Sequence, residues 1–598
     1  MKIKLFGILI AVAILCSPAF SFRIKTDGEM KRWHKMTVTF NGLDLDESAE
    51  LNPFLDYRLN VTFIKGDKRY VVPGFYSADG NAGQSGATGG NKWQVHFTPD
   101  SAGWWGYTVS FRKGSDIAIS EDPDAGMAVG FDGLANTFEI HESDKSGRDF
   151  RGKGMLRYSG ERYLQFAESG EYFIKAGADS PENFLAYFEF DGTYDTAKLD
   201  RKGEAVGDKF IHQYKPHAKD YRKGDPTWRK GKGKNIIGAL NYLASQGMNS
   251  IYFLTYNLDG GDGQDVWPWT DPNERFRFDC SKLDQWEIVF SHAEQLGIML
   301  HVVTQETEND QGLDGGELGR KRKLYYRELI ARFGHHLGLV WNLGEENSNT
   351  TEQLKAFTSY FKKTDPYKHP VVVHNGWDGH EKLYGPLVGY GDFDGASLQM
   401  NKTGSKTHSE TLKWLERSAK GGWQWFVCLD EFGGGGDGVY SDSVSPDHDI
   451  ARKNCLWGNL MAGGGGFEWY FSYKSPINDL NCEDWRSREK MWEQSLYALD
   501  FFHKYLPFWQ MKSADSLVSN GWCFAKEGAI YAVYLPKGGS CELQLTDGKF
   551  GVQWYNPRKG GNLATGSVVQ VTGPGKVLLG KPGKDKGKDW VILVKKKK

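Results

Sequence analysis

The sequence predicts a (β/α)8 TIM barrel, an α/β fold, flanked by an N-terminal Ig-like β-sandwich and a small C-terminal β-sandwich. Between about residue 150 and residue 508, short apolar strands alternate with amphipathic helices. On either side of this region, short strands are separated only by turn residues, which is typical of sandwiches. Two central strands run directly into glutamates, and barrel enzymes keep catalytic groups at that end of their strands. A doubly wound open sheet is the alternative for the central region.

Length and charge limit the possible classes of protein. At 598 residues the chain is too long for one domain. A net charge of −2 gives no indication of nucleic acid as a partner. Beyond the N-terminal segment, no apolar run is long enough for a membrane span, so none is predicted. The six cysteines that follow that segment show no C-x-x-C spacing, so neither a metal nor another cofactor is expected.

The first 21 residues have the pattern of a secretory signal peptide. Lys2 and Lys4 precede an apolar run from Leu5 to Cys16, and Ala19-Phe20-Ser21 is a cleavage site of the small-x-small type. The apolar run is too short to span a membrane. We therefore expect cleavage near Ser21 and a secreted or periplasmic protein.

The mature chain is predicted to divide into domains at 22–145, 146–508 and 509–598. The first is expected to be the Ig-like sandwich, because its strand candidates alternate polar and apolar residues between turn clusters. These candidates are Met36–Phe40, Arg58–Phe63, Tyr70–Val72, Trp93–Phe97 and Tyr107–Phe111. The last domain has the strand candidates Tyr531–Tyr534, Cys541–Leu545, Val552–Tyr555 and Trp590–Val594.

Eight strand candidates and the helices between them fit a barrel with long loops. The strands are Tyr172–Ala176, Ser250–Tyr256, Ile298–Thr304, Leu339–Leu343, Pro370–His374, Ala396–Met400, Phe426–Leu429 and Phe467–Phe471. The helices, identified by apolar residues at a period of about 3.6, are Asn235–Gln246, Lys282–Gln295, Lys321–Phe333, Glu352–Lys363, Ser409–Lys420, Asp449–Met461 and Arg486–His503.

Glu346 and Glu431 follow the fourth and seventh strands of this predicted barrel. If strict alternation continues past the fourth strand, Asn342, Gly344 and Glu346 share one face while Glu345 lies on the other. Strands four and seven of a barrel meet across its mouth, so the two glutamates are expected to face each other. A facing pair of carboxyl groups is the working part of a glycosidase.

The surrounding motifs resemble those of a known group. Trp341-x-Leu343-x-Glu345-Glu346-Asn347 resembles the Trp-x-Leu-x-Asn-Glu-Pro end of strand four in clan A glycoside hydrolases, and Leu429–Gly433 resembles their strand-seven nucleophile segment. The resemblance implies a retaining double displacement, with Glu346 as general acid/base and Glu431 as nucleophile. Glu345 replaces the Asn that contacts the sugar 2-hydroxyl in that clan. It is therefore the alternative acid, although the register favours Glu346.

The layout of the whole mature chain resembles a set of exported bacterial proteins. They carry an N-terminal Ig-like domain of unknown function, an apiosidase-like barrel and a C-terminal domain named for collagen binding. Trp93–Tyr107 resembles part of the first domain, and Tyr534–Gly539 and Trp554–Gly560 resemble parts of the last. The group is diverse, so the resemblance implies no particular sugar, and we do not expect collagen as a ligand.

Residues near the other strand ends are expected to build sugar subsites. Their amide, imidazole, phenol and indole groups can bind hydroxyls or stack on sugar rings. The predicted substrate-binding residues are Glu345, Tyr256, Asn257, Gln305, His374, Asn375, Trp377, Gln399, Trp267, Trp269, Trp469 and Tyr470.

A loop between His212 and Lys234 is rich in lysine and arginine. If it lines the cleft, it favours an anionic glycan, sulfated or uronic; otherwise it is a solvated face. The sequence as a whole indicates a secreted O-glycosyl hydrolase whose partner is a polysaccharide or oligosaccharide substrate. The alternative is a non-catalytic carbohydrate-binding or adhesion protein on a degenerate barrel, for which Glu345 in place of Asn is the argument. The sequence does not indicate an oligomeric state.

Overall fold

A computed structural model describes residues 24–196, 211–258, 260–261, 263–433, 436–473 and 475–597. The predicted signal peptide lies outside these residues. Every helix found among them is too short or too polar to cross a lipid bilayer.

Two antiparallel sheets precede the barrel, with strand orders β1-β2-β6-β5 and β4-β3-β7-β8, and β9 also pairs with β7. Their strands are β1 (Ile24–Gly28), β2 (Met36–Asp46), β3 (Tyr57–Lys65), β4 (Lys68–Pro73), β5 (Phe75–Tyr76), β6 (Gly89–Phe97), β7 (Gly103–Lys113), β8 (Met127–Ala128) and β9 (Ala135–Ile140), and the short helix α1 spans Ala82–Ser85. Phe63 of one sheet stacks on Phe97 of the other with ring centroids 4.0 Å apart. Apolar residues at every second position of these strands thus face each other between the two sheets, as predicted for a sandwich.

A small sheet lies between the sandwich and the barrel. It contains β10 (Leu156–Arg157), β11 (Leu164–Phe166) and β12 (Tyr172–Phe173). The prediction of Tyr172–Ala176 as the first barrel strand was therefore wrong in its boundaries. The barrel strand starts at Lys175, because the Asn249 side chain bonds both the Ile174 carbonyl and the Ala176 amide at the junction.

Eight parallel strands close into the predicted barrel, in sequence order, and the last strand pairs with the first. They are β13 (Lys175–Ala178), β14 (Ser250–Leu254), β15 (Met299–Val303), β16 (Leu339–Asn342), β17 (Val371–Asn375), β18 (Gly395–Met400), β19 (Phe426–Phe432) and β20 (Gly466–Trp469). This closure excludes the doubly wound open sheet.

Helices surround the barrel close to their predicted positions. They are α2 (Lys234–Ser245), α3 (Cys280–Leu296), α4 (Arg320–Phe333), α5 (Thr351–Thr364), α6 (His380–Tyr384), α7 (Thr407–Lys420), α8 (Trp457–Ala462) and α9 (Glu489–Tyr505). Side-chain caps fix two of their starts: Asp279 accepts from the Lys282 amide, and Thr350 forms a capping box with Gln353. A π-helical turn at Ala451–Leu456 precedes α8, within the single helix predicted there.

The chain after the barrel forms one six-stranded antiparallel sheet in the order β21-β22-β23-β26-β24-β25. Its strands are β21 (Lys512–Ser513), β22 (Trp522–Lys526), β23 (Ile530–Leu535), β24 (Glu542–Tyr555), β25 (Gln570–Leu578) and β26 (Trp590–Lys596). Cys541–Leu545 and Val552–Tyr555, predicted as two strands, belong to β24; a register shift between Leu545 and Gly548 absorbs the glycine that suggested a break. The sheet docks on the barrel through an Arg452–Asp589 ion pair. The domain boundaries near 145 and 508 stay a prediction.

Candidate active site

Glu431 lies at the C-terminal end of β19 and is almost fully buried. It is paired in register with Gln399 of β18, immediately after a shift of one residue between these strands. The preceding residue, Asp430, bonds Lys175 in the barrel interior. The shift therefore allows two successive acidic residues, Asp430 and Glu431, both to face the barrel interior.

Glu346 follows β16 and reaches the rim in a different manner. The strand ends at Asn342, and Glu346 is an exposed residue with a φ of +38°. This left-handed conformation is unusual for a residue with a side chain, and such strain is concentrated at functional sites. The Gln399 amide donates to Glu346 Oε1 at 2.8 Å. Gln399 thus connects Glu346 to β18, the strand that pairs with the Glu431 strand, β19.

His374 joins Glu431 to the second glutamate of the fourth-strand motif. His374 Nε2 lies 2.9 Å from Glu345 Oε1 and 3.2 Å from Glu431 Oε2. All three side chains are buried. Glu345, on which the clan resemblance places Asn, is therefore the fourth-strand glutamate that enters the barrel.

Surrounding hydrogen bonds hold these groups in place. The other ring nitrogen of His374, Nδ1, lies 3.0 Å from Ser397 Oγ. The backbone amide of His374 donates to Asn342 Oδ1 at 3.1 Å, and the amide of Glu345 donates to the Gln305 carbonyl at 2.9 Å. The triad of Glu345, His374 and Glu431 is thus fixed from three neighbouring strands.

The electrostatics of the triad favour a cation between two carboxyl groups. Burial alone would lower the pKa of His374, but Glu345 and Glu431 outweigh it and raise that pKa to about 10. Burial raises the pKa of Glu431 to about 7, and the hydrogen bond from His374 opposes this rise. Burial also raises the pKa of Glu345, again against the effect of His374. His374 is therefore an imidazolium at neutral pH and favours ionisation of both glutamates.

Replacing this cation is expected to destabilise the protein in a pH-dependent manner. Because the folded-state pKa of His374 is raised above 6.5, its stabilisation is fully present below pH 6.5 and is lost as the pH rises through about 10. His374→Gln leaves two buried carboxyl groups without a counter-charge, a loss of about 3–5 kcal/mol when they are ionised. Thermal melts should show a larger decrease in Tm, relative to wild type, at pH 6 than at pH 9.5, where wild type has itself lost most of this stabilisation. An equal decrease at both pH values would contradict this electrostatic role.

A second polar cluster lies below the triad inside the barrel. Lys175 Nζ bonds Asp430 and, at 2.9 Å, Glu468 Oε2. His301 Nδ1 lies 2.8 Å from the same Glu468 oxygen, and its Nε2 lies 3.1 Å from the Asn342 amide nitrogen. The barrel interior is thus a hydrogen-bonded network beneath the site, rather than the layers of branched apolar side chains usual in this fold.

The triad is also close enough to be considered as a metal-ligand set. One ligand atom from each of Glu345, His374 and Glu431 lies within 4.8 Å of the others. However, His374 Nε2 already lies within hydrogen-bonding distance of both carboxylates, and the raised pKa of His374 favours a proton on that nitrogen. The chemistry of this donor set therefore fits an imidazolium better than a cation bound by a neutral imidazole.

A cavity of about 500 Å³ opens beside Glu346. The predicted residues Asn375, Trp377 and Gln399 line it together with Glu346. Trp377 is half-buried, which leaves part of its indole ring accessible. Four of the predicted site residues therefore share one opening at the rim.

Other predicted subsite residues lie away from this opening. Trp269 packs on Tyr256 at 5.0 Å between ring centroids, and Trp267 is covered by Lys282, whose Nζ lies 4.4 Å from the ring centroid. The Trp469 indole donates to Ser495 of α9, outside the barrel. All three are buried: Trp267 and Trp269 because the loop after β14 packs against α3 and α4, and Trp469 because it packs between β20 and α9.

Three further predicted residues have their described contacts in the loops. The Asn257 amide donates to the Gly263 carbonyl at 3.1 Å, and Gln305 bonds Asn349 at 2.9 Å. Tyr470 is buried just after β20, where its carbonyl accepts from the Val439 amide. Asn257 and Gln305 brace the loops after β14 and β16; their role in substrate binding, like that of Tyr470, stays a prediction.

The basic loop packs beside α2. The Asn241 side chain of that helix donates to the Asp220 carbonyl and to Asp225, and Arg486 pairs with Asp220. Most of the loop's lysines are exposed, and none of them lines the cavity at Glu346. The structure thus places this charge on a solvated face.

The sequence analysis missed two acidic residues, Asp179 and Asp479. Both are fully buried, at the top of β13 and in the loop after β20 respectively. The alternation of Lys175, Gly177 and Asp179 with two alanines could have indicated the first, had the strand been placed there. No local pattern marks Asp479, because it reaches the barrel through a loop.

Comparisons with known proteins support the architecture. The model described as "Domain of unknown function (DUF5060)" matches residues 29–112, and that of a "Putative collagen-binding domain of a collagenase" matches residues 515–595. These spans include the segments from which the two flanking resemblances were predicted. No curated protein matches the chain.

Solved structures extend the similarity across the barrel. A "putative glycoside hydrolase" from Bacteroides vulgatus is 15% identical with a TM-score of 0.61, covering 95% of this chain and 99% of its own. A glycoside hydrolase family 5 protein from the same organism is 16% identical with a TM-score of 0.51, covering 76% and 95%. A third structure, named "Glycoside hydrolase", is 15% identical with a TM-score of 0.51, covering 76% and 99%. At these identities the comparison establishes the fold alone, which the chain shares with the first structure over nearly its whole length and with the other two over about three quarters of it.

Proposed function

We propose that this protein is a secreted, retaining O-glycosyl hydrolase that acts on a polysaccharide or oligosaccharide. The observation that carries the proposal is that two glutamates, Glu346 and Glu431, lie at the C-terminal ends of two barrel strands. Glu346 follows β16 at the edge of an open cavity, and Glu431 ends β19 with an imidazolium against its carboxylate. The similarity of the barrel to glycoside hydrolases supports the same class.

In the proposed reaction, the ionised Glu431 attacks the anomeric carbon of the substrate. The bond to the leaving oxygen breaks, and protonated Glu346 gives that oxygen its proton, which leaves a covalent glycosyl ester on Glu431. Glu346, now a carboxylate, removes a proton from a water molecule. The resulting attack at the same carbon releases the sugar and restores both glutamates. The two inversions retain the anomeric configuration.

His374 and Glu345 would support this reaction without forming a bond to the substrate. Burial raises the pKa of Glu431 to about 7 even with His374 beside it, so the nucleophile depends on a nearby positive charge for its ionisation near neutral pH. The His374 imidazolium supplies it, and Glu345 in turn keeps His374 protonated. Glu345, which stands where the clan has Asn, would thus help to ionise the nucleophile Glu431 by keeping His374 protonated.

The proposed export of the protein rests on the predicted signal peptide. The two flanking β domains, predicted as 22–145 and 509–598, would act as supports or glycan-binding modules. An anionic substrate was suggested by the basic loop alone. Since that loop packs beside α2, it gives no support to a sulfated or uronic glycan at the rim.

A non-catalytic carbohydrate-binding protein is the second candidate. Glu345 in place of Asn favours it, because a site that has lost catalysis is free to change such a residue. Against it, the triad keeps Glu431 in a hydrogen-bonded, fixed position, as a nucleophile requires.

A digest of neutral plant glycans and of sulfated or uronic algal glycans tests the proposal. Wild type is compared with Glu431→Gln and Glu346→Gln, and new reducing ends are measured. Release by wild type that is lost in both variants supports the enzyme. Binding without release, unchanged in both variants, would favour the binding protein.

A further inference from the structure

Asp179 is a buried carboxyl group that the mechanism above does not use. Lys175, Gly177 and Asp179 alternate onto the inner face of β13, because Lys175 bonds His301 and Glu468 inside the barrel. The backbone amide of Asp179 donates to the Trp469 carbonyl of the adjacent strand at 3.1 Å. Its side chain is fully buried, and neither carboxylate oxygen has a hydrogen-bond partner among the described residues.

Asp479 reaches the same strand end from the loop after β20. Its Oδ1 accepts from the Glu182 amide at 3.1 Å, and its own amide donates to the Ser472 carbonyl. These bonds hold Asp479 against the segment that follows Asp179. Its Oδ2 is buried and, within the described part of the chain, has no partner.

The triad contributes two further atoms of the same kind. Glu345 Oε2 and Glu431 Oε1 are buried and without a partner among the described residues, although the other oxygen of each bonds His374. Asp179, Asp479, Glu345 and Glu431 thus present five acceptor oxygens that need donors. Buried polar atoms are nearly always hydrogen-bonded in folded proteins, so each of these oxygens calls for a donor that the chain does not supply.

The charges around Asp179 and Asp479 indicate what kind of donor fits. Burial raises the pKa of Asp479 to about 8 and that of Asp179 well above its usual range, and the nearby Glu345 and Glu431 raise both further. His374 is the cation that the described contacts place among these carboxyl groups. These carboxyl groups resist ionisation because they are buried close together, so a carboxylate or sulfate brought here would add a further like charge, whereas hydroxyl or ammonium groups donate to such oxygens.

We propose that Asp179 and Asp479 bind the hydroxyls of the sugar whose anomeric carbon Glu431 attacks, and that they select a neutral or amino sugar over a uronic or sulfated one at that position. This inference rests on the proposed glycosidase function and names the class of sugar for its site. A divalent metal ion is the rival occupant of the carboxyl groups. The protonated His374 between two of them disfavours it, since like charges repel.

Calorimetric titration with small probes tests the inference without a known substrate. The probes are three cationic imino sugars, 1-deoxynojirimycin, 1-deoxymannojirimycin and 1-deoxygalactonojirimycin, and two anions, glucuronic acid and galacturonic acid. Wild type should bind at least one imino sugar and neither uronic acid. Asp179→Asn, which keeps the shape but replaces an acceptor oxygen with an amide NH2, should weaken that binding at least about tenfold, and Asp479→Asn should weaken it in the same direction. Asp500→Asn, the same change at an exposed residue of α9, should leave it unchanged.

Four results would overturn the inference: no binding of any imino sugar, uronic acids bound as tightly as imino sugars, unchanged binding in a folded Asp179→Asn variant, or an increase in Tm with Ca²⁺ that requires Asp179. Melting curves without ligand establish that each variant folds. The two proposals fail separately. Imino-sugar binding that depends on Asp179, without glycan release by wild type, would overturn the enzyme but keep the sugar site. Glycan release that is lost in Glu431→Gln, together with imino-sugar binding that Asp179→Asn does not affect, would overturn the sugar site but keep the enzyme.

Discussion

Glu431→Gln is expected to lower kcat on the responsive glycan by at least about 10⁴-fold, the scale seen when a catalytic nucleophile is removed. An amide cannot form the glycosyl ester, so the first displacement is lost while the sugar subsites remain. Initial rates over a range of glycan concentrations measure kcat and KM separately. Glu493→Gln, the same change at an exposed residue of α9, serves as the control and should keep wild-type kcat. A folded Glu431→Gln variant with more than a tenth of wild-type kcat would exclude this residue as the nucleophile.

Glu346→Gln is expected to lower kcat/KM on natural glycosides by about 10²–10⁴-fold, because general acid–base catalysis contributes on this scale. The loss should be much smaller on a 2,4-dinitrophenyl glycoside of the released sugar, whose leaving group needs no proton. Added azide should restore turnover of that glycoside, since azide replaces the water that Glu346 would activate.

Glu345→Gln distinguishes the two candidates for the acid. Here we expect no azide rescue. Instead, kcat/KM should begin to fall at a lower pH on the alkaline side, because His374 loses the carboxylate that raises its pKa most. Azide rescue in Glu345→Gln and none in Glu346→Gln would exchange the two roles.

The fold was predictable because apolar periodicity sets the strands and helices of the barrel. Each of the eight strands contains residues that alternation and length had identified, and the flanking resemblances match the two family models. The first strand was misplaced because Tyr172–Phe173 is as apolar as a barrel strand. The hydrogen bonds from the Asn249 side chain to Ile174 and Ala176 mark where the barrel strand Lys175–Ala178 begins, and the sequence does not reveal them.

The site was predictable only in part. Strict alternation placed Glu346 inward and Glu345 outward, but β16 ends at Asn342, so the alternation does not extend to either glutamate. Trp267, Trp269 and Trp469 have the composition of sugar platforms, yet packing against helices and loops decides their burial. His374 was expected to contact the sugar; its position between two glutamates depends on the barrel closing across strands that are distant in sequence.

Trapping the covalent intermediate tests the central claim most directly. The enzyme would be inactivated with a 2-deoxy-2-fluoro glycosyl fluoride of the sugar that the glycan digest identifies, then cleaved with protease and analysed by mass spectrometry. The retaining mechanism predicts one added glycosyl mass on the peptide that contains Glu431, and none in Glu431→Gln. A glycosyl mass on Glu345 or on another residue, or an active enzyme whose first product has the inverted configuration, would contradict it.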